Sequence, residues 1–293
     1  MPENGEEKKM KKFLVLIVFA MIIIFALSCG NEKKSSGYEL ALITDVGTID
    51  DRSFNQGSWE GLKKYAEEKG ITHKYYQPTE KTTDAYIDSI DLAVAAGAKI
   101  VVTPGFLFEP AIYKAQDIHP EVNFVLLDGS PQDGNYQDFR IEKNVYSVFY
   151  AEEEAGFLAG YGAVKEGYTN LGFMGGMAVP AVVKFGYGFV QGVNYAAKEL
   201  GIRNVKVDYN YLGGFNPSPE IQTKAASWYR NGVQVIFVAG GGAGNSVMSA
   251  AEQNNGYVIG VDVDQSSESP TVITSAMKMI GESVYNAIDE FYK

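Results

Sequence analysis

The chain has 293 residues, with 46% hydrophobic and 21% charged residues and a formal net charge of −11 at pH 7. This composition is typical of a globular protein with one large or two ordinary domains, and without a basic footprint it argues against nucleic-acid binding. The single cysteine and two histidines exclude an internal disulfide and leave little material for a catalytic triad or a zinc site.

The N-terminal segment has the order of an export signal. Lysines at positions 8–12 precede an apolar run, Phe13–Leu27, that is shorter than the roughly 20 residues of a membrane span. Residues 26–29, Ala-Leu-Ser-Cys, resemble a bacterial lipobox, although leucine is more usual in place of Ala26. We therefore expect a lipoprotein signal peptide over 1–28, lipidation of Cys29 and a tether over 29–37. The alternative is an uncleaved membrane anchor.

After the tether, short apolar runs alternate with stretches whose apolar residues recur at helical spacing. Up to residue 144, this pattern predicts strands at 38–44, 73–77, 99–103 and 122–128, and helices at 58–69, 83–96 and 110–119. Beyond residue 151, it predicts strands at 170–174, 205–211, 234–239 and 258–262, and helices at 152–165, 184–200, 219–231, 245–254 and 280–292.

Such alternation predicts an α/β fold with parallel sheets and right-handed crossovers. Two runs of alternating elements, joined near 145–151, predict two doubly wound, Rossmann-like lobes. Ligands bind these sheets beyond the carboxyl ends of the strands, so functional residues are expected just after strands.

The segment after the first strand combines polar and aromatic residues in a way that a simple loop does not require. It combines three acids, a phenylalanine and an amide: Asp45, Asp50, Asp51, Phe54 and Asn55. Helix capping accounts for part of this set, since Asp and Ser satisfy free N–H groups at helix starts. Capping does not account for Asp45 at the strand end or for Phe54.

Later strand ends carry further candidates. Asp128 follows the fourth strand, where it either forms a turn or points a carboxylate into a cleft. Phe185 and Phe189 share one helical face, and core packing is the preferred interpretation for Phe189. The glycine run at 240–242 with Asp262 has the spacing of a dinucleotide fold, but Asn245 stands where that motif needs its third glycine.

Taken together, these segments resemble the basic membrane protein family, also called the purine nucleoside receptor A family. The matching segments are 44–56, 128–129, 175–189 with Pro180 and Phe185, 240–241 and 260–265. They occur in the expected order across nearly all of the chain after residue 37, and their combination is specific although each segment alone is not.

The resemblance implies a type I periplasmic-binding fold, in which a lipoprotein captures purine nucleosides and delivers them to a membrane ABC permease. By resemblance, Phe54 and Phe185 would sandwich the base and Asp128 would bind its edge. Asp262 and Lys278 would hold ribose hydroxyls. The site would be completed by Asp45, Asn55, Gly240 and Gly241.

The same comparison sets the remaining expectations. The N-terminal lobe would comprise 38–147 plus 266–293, and the C-terminal lobe 148–265. We expect a monomer without enzymatic activity, cofactor, metal or nucleic-acid partner, held on the outer face of the cell membrane by the Cys29 acyl chains. Family members usually continue for some tens of residues beyond the position of Lys293, so truncation at this end is one interpretation.

Three alternatives remain open. The same fold also serves receptors for sugars and other small solutes, because a fold does not fix its ligand. Asp45, Asp50 and Asp51 would suit a metal-assisted nucleoside hydrolase, although neither histidine lies in a motif. A surface adhesin is the third alternative, and it is compatible with nucleoside binding.

Overall fold

The computed structural model describes residues 37–45 and 47–293. The predicted signal peptide, Cys29 and nearly all of the predicted tether lie outside the described residues. Within the described part of the chain, no helix combines the length and the apolar character that crossing a bilayer requires.

The first lobe contains a five-stranded parallel sheet with the order β2-β1-β3-β4-β5. Its strands are β1 (Leu40–Ile43), β2 (His73–Tyr76), β3 (Ile100–Pro104), β4 (Asn123–Leu127) and β5 (Val145–Val148). Its helices are α1 (Phe54–Lys69), α2 (Thr83–Ala95) and α3 (Glu109–Ile118), the last preceded by a 3-10 turn at Phe106–Phe108. Every residue of β1 and β3 is buried, as continuous apolar runs in a parallel sheet predict.

The second lobe repeats this plan with the strand order β10-β9-β8-β6-β7, again all parallel. Its strands are β6 (Asn170–Gly175), β7 (Lys206–Tyr211), β8 (Val235–Ala239), β9 (Tyr257–Asp262) and β10 (Val272–Met277). Its helices are α4 (Glu152–Lys165), α5 (Pro180–Leu200), α6 (Pro219–Arg230) and α7 (Ala243–Asn254). The predicted fold class, two doubly wound α/β lobes, is confirmed.

Helices α4 and α5 pack against each other at unusually close range. A Cβ placed on Gly156 would lie 2.2 Å from the carbonyl oxygen of Phe185, and one on Gly160 would lie 2.2 Å from that of Phe189. Real Cβ atoms do not approach an oxygen so closely, so the two backbones are in direct contact only because these positions lack side chains. The pair forms a closely packed layer of the second lobe.

The chain crosses between the lobes twice, first between β5 and α4 and then between β10 and the last helix, α8 (Ile280–Phe291). Helix α8 packs against α1 of the first lobe. The predicted return to the first lobe at residue 266 is therefore wrong: β10 pairs with β9, so the chain stays in the second lobe until Met277. Alternation alone did not predict β5 or β10, because both are edge strands with mixed burial and lack a continuous apolar run.

Candidate functional site

A cavity of about 800 Å³ lies between the lobes, where the carboxyl ends of both sheets meet. Eight of the nine sequence-predicted site residues line it: Asp45, Phe54, Asn55, Asp128, Phe185, Gly241, Asp262 and Lys278. The ninth, Gly240, is buried directly before the lining residue Gly241. Parallel strands bring these positions together because their carboxyl ends share one edge of each sheet.

Lys278 lies at the centre of this site, although its side chain is only 3% exposed. Its Nζ lies 2.5 Å from Oδ2 of Asp128, 3.0 Å from Oε1 of Glu152 and 4.0 Å from Oδ1 of Asp262. We call these four residues the Lys278 cluster. Buried charges are costly unless they are paired, and one ammonium offsets only part of the charge of three carboxyl groups. Burial by itself would lower the pKa of Lys278, but the three carboxyl groups raise it, so the ammonium stays protonated.

Aromatic rings surround the same ammonium group. Nζ of Lys278 lies 4.9 Å from the ring centroid of Phe54, 5.1 Å from that of Tyr150 and 5.3 Å from that of Phe185. These distances fall within the range of cation–π attraction. Phe185 is 2% exposed and meets Phe237 edge-on, so it belongs to the core as well as to the cavity wall.

Phe189, four residues further along α5, is fully buried in the core of the second lobe. The core interpretation of Phe189 is thereby confirmed.

Two acids of the cluster occupy left-handed backbone conformations, with φ of 56° at Asp128 and 68° at Asp262. Non-glycine residues adopt this region infrequently, and it tends to be retained at functional sites. Burial raises the pKa of Asp128 to about 7, against the lowering effect of the Lys278 charge. Burial likewise raises the pKa of Asp262, which accepts a hydrogen bond of 2.5 Å from Ser53 Oγ.

One oxygen of Asp128 is not satisfied within the protein. Oδ2 accepts from Lys278, whereas Oδ1 is buried and has no hydrogen-bond partner among the described residues. Leaving a buried acceptor unpaired is costly, and such groups in native structures commonly mark a functional position.

Two acids of the loop before α1 have different roles: Asp51 caps the helix, whereas Asp45 lines the cavity. Asp51 accepts hydrogen bonds from the backbone N–H groups of Ser53, Asn55 and Gln56, at 2.9–3.0 Å. It therefore caps the helix, as the capping interpretation predicts. The Asn55 side chain donates to both Asp51 and Asp45, which ties the cavity-lining acid at the strand end to the helix start.

The glycine run before α7 provides backbone rather than side chains to the cavity. Gly241 has a φ of 55°, a conformation that glycine adopts at no steric cost. Asn245, where a dinucleotide motif would need glycine, lines the same wall.

Sequence reasoning missed two features of the site. Glu152 was not separated from Glu153 and Glu154, because acids are common in the first turn of a helix. Helical spacing is the signal that could have found it, since Glu152 lies on the face of α4 that carries Gly156 and Ala159. Ser53 bonds to Asp262 of the opposite lobe instead of capping α1. No local signal marks such contacts between lobes.

A further set of contacts joins the lobes at the rim of the cavity. Arg52 forms an ion pair with Glu268, and Gln265 Nε2 donates a hydrogen bond of 2.8 Å to the Arg52 carbonyl. Arg52 also has a positive φ of 56°. These contacts tie the loop before α1 to the second lobe.

Comparison with known proteins agrees with this architecture. The family model "Bmp: ABC transporter substrate-binding protein PnrA-like" matches residues 38–293. The ABC transporter nucleoside-binding protein BmpA of Lactococcus lactis is 31% identical over 88% of this chain and 76% of its own length. Basic membrane protein A1 of Borrelia garinii is also 31% identical, over 94% of this chain and 79% of its own length.

Among solved structures, an ABC transporter solute-binding protein from Aeropyrum pernix superposes with a TM-score of 0.75 and 26% identity. The match covers 87% of this chain and 70% of that protein. Sequence, family model and fold thus agree: this chain belongs to the Bmp family of PnrA-like ABC transporter substrate-binding proteins.

Proposed function

We propose that the cavity captures purine nucleosides and that the protein delivers them to an ABC permease. A substrate-binding protein of this family implies a small-molecule ligand and a permease partner. The observation that carries the choice of ligand is the unpaired Asp128 Oδ1, in a wall that also contains Phe54 and Phe185. The nucleoside-binding name of the Lactococcus relative supports the same choice.

The base would occupy the space between the aromatic rings. Base–aromatic stacking contributes about 1–3 kcal/mol per base and needs only a flat π-face. Asp128 Oδ1 would then accept a hydrogen bond from an N–H group at the edge of the base. A site with a buried acceptor strongly rejects analogues that lack the matching donor, so Asp128 would supply selectivity as well as affinity.

The sugar would be held by polar groups from both lobes. Asp262 and Lys278 come from the end of the second sheet. Asp45 comes from the end of the first sheet and Asn55 from the start of α1. Ribose hydroxyls both donate and accept, and this set offers carboxylate acceptors, an ammonium donor and an amide. Because each lobe supplies only part of the site, ligand would favour the closed arrangement over an open one.

The setting proposed for this activity is the outer face of the cell membrane. A monomer anchored through acyl chains on Cys29 would keep the nucleoside site close to its permease. Mass spectrometry of the membrane-extracted protein tests the anchor, since acylation at Cys29 adds a defined mass and Cys29→Ser removes it.

The ligand is tested by a thermal-shift and calorimetry screen of the purified protein against purine and pyrimidine nucleosides, ribose and common hexoses. A ligand that binds only the folded state raises the melting temperature. We expect shifts with adenosine, guanosine or inosine and none with free sugars. Shifts with sugars alone would leave the fold intact and overturn the ligand. Recovery of intact inosine after incubation distinguishes binding from hydrolysis.

A further inference from the structure

The two segments that connect the lobes carry oppositely charged residues. The first crossing runs from Val148 to Glu152, and Glu152 is the first residue of α4. The second crossing begins with Lys278, directly after the end of β10 at Met277. Motion between the lobes of such a protein requires backbone rotation in these connections, because the rest of each lobe is a packed sheet with its helices.

The two charges meet in the interior. Nζ of Lys278 lies 3.0 Å from Oε1 of Glu152, and their side chains are 3% and 2% exposed. The other carboxylate oxygen, Oε2, lies 3.3 Å from Nζ of Lys184, on α5. Both oxygens of Glu152 are therefore engaged, and the carboxylate has a fixed orientation.

Glu152 contacts a residue of the cavity wall without lining the cavity itself. Lys278, Asp128 and Asp262 line the cavity, whereas Glu152 is not among the lining residues. Glu152 would therefore act on a ligand through the ammonium of Lys278, which it contacts directly. Glu152 also begins the helix that packs on α5 through Gly156, so it lies next to the close contact between these two helices.

This geometry points to Glu152 as a positioning residue: we propose that it fixes the Lys278 ammonium against Asp128 and locks the two interlobe connections to each other. A single buried ion pair then couples the ligand site to the hinge. The effect on affinity rests on the proposed function, since it concerns nucleoside capture. The effect on the hinge does not, because the ion pair is present without ligand.

The matched variants are Glu152→Gln and Glu153→Gln. Both remove one negative charge from the first turn of α4, but Glu153 is exposed and lies outside the Lys278 cluster, whereas Glu152 is buried against Lys278. A general effect on helix stability would be equal in the two variants. An effect through Lys278 would appear only in Glu152→Gln.

Two readouts separate the hinge from the ligand. Inosine affinity is measured by calorimetry, and the interlobe distance without ligand by pulsed electron resonance between spin labels at exposed Leu92 and Lys198, in a Cys29→Ser background. We expect Glu152→Gln to weaken binding by about tenfold or more and to broaden the distance distribution, with Glu153→Gln unchanged.

The outcomes are distinct. Failure of the wild type to bind any nucleoside refutes the proposed function, while the distance measurement still decides the hinge. Equal distance distributions for Glu152→Gln, Glu153→Gln and wild type would overturn the inference. If Glu152→Gln does not fold, Lys278→Met is compared with the Lys278→Met/Glu152→Gln double variant. Matching distributions in that pair support coupling through Lys278, and a further change in the double variant contradicts it.

Discussion

Replacement of Lys278 by methionine tests the electrostatic account of the site most directly. Methionine keeps much of the length of lysine but removes the positive charge that lies near the carboxyl groups of Asp128, Glu152 and Asp262. Removing one partner of a buried ion pair costs about 3–5 kcal/mol, because the remaining charge has neither water nor a counterion. A typical protein has a free energy of unfolding of only about 5–15 kcal/mol, so the loss is a large fraction of the total.

Urea denaturation at pH 7, followed by circular dichroism, measures this loss. With an m-value near the upper end of the usual range, about 3 kcal/mol per molar urea, the midpoint should fall by about 1–2 M. Lys184→Met is the matched control, since Lys184 also contacts Glu152 but is 43% exposed. Because the Lys184 ammonium remains in contact with water, its loss should lower the midpoint by less than the loss of Lys278.

The pH dependence of the free energy of unfolding identifies why the Lys278→Met variant is less stable. Burial raises the pKa of Asp128 to about 7 while Lys278 lowers it, so the Lys278→Met variant has a still higher pKa at this carboxyl. A carboxyl whose pKa is higher in the folded chain than in the unfolded chain binds more protons when folded, and a falling pH then favours folding. The gap in stability between wild type and Lys278→Met should narrow from about pH 8 to about pH 5. Equal midpoints at pH 7, or a gap that is constant with pH, would refute this reasoning.

Three further variants, the last with a matched control, test separate parts of the structure. Phe54→Ala should weaken nucleoside binding by about 1–3 kcal/mol in calorimetry if its ring stacks on the base, and unchanged affinity in a folded variant would remove Phe54 from the site. Asp128→Ala should remain folded, as its melting curve would show, but lose affinity for purine nucleosides. A variant that simply unfolds would favour the turn-forming interpretation. Gly192→Ala places a Cβ 2.0 Å from the Phe157 carbonyl oxygen and should lower stability by about 1–3 kcal/mol in thermal denaturation. Gly162→Ala, with nothing within 4 Å of the added Cβ on the neighbouring helix α4, should instead be neutral or stabilising.

Much of the fold follows from local pattern. Buried parallel strands need continuous apolar runs and surface helices need apolar residues at helical spacing, so the alternation along this chain predicts two doubly wound lobes. Helix starts were less accurate. Helix α1 begins at Phe54 and α5 at Pro180, each four residues before the predicted start, because Asp51 caps one from outside and proline begins the other.

The grouping of the candidate site could also be anticipated in part. Asp45 and Asp128 come after strands and Asp262 is the last residue of one, and the carboxyl ends of parallel strands share one edge. Their roles came from the resemblance to a family rather than from spacing. Asp51, in the same loop as Asp45, shows why spacing alone does not assign roles. Its carboxylate accepts hydrogen bonds from backbone N–H groups and caps the helix.

The sequence by itself thus determined the fold class, the family and the strand ends at which a site could form, because these depend on periodicity and on motifs within short segments. Only the tertiary structure decided which lobe holds β10 and which groups surround the Lys278 ammonium. Lys278 and Asp128 are 150 residues apart and meet because the chain crosses between the lobes twice. Glu152 and Glu153 are neighbours in the sequence, yet one is buried in an ion pair and the other is exposed. Helical spacing places Glu152 on the buried face of α4 with Gly156, Ala159 and Ala163. Only the tertiary structure brings the Lys278 ammonium to that face, because the two residues lie on separate connections between the lobes.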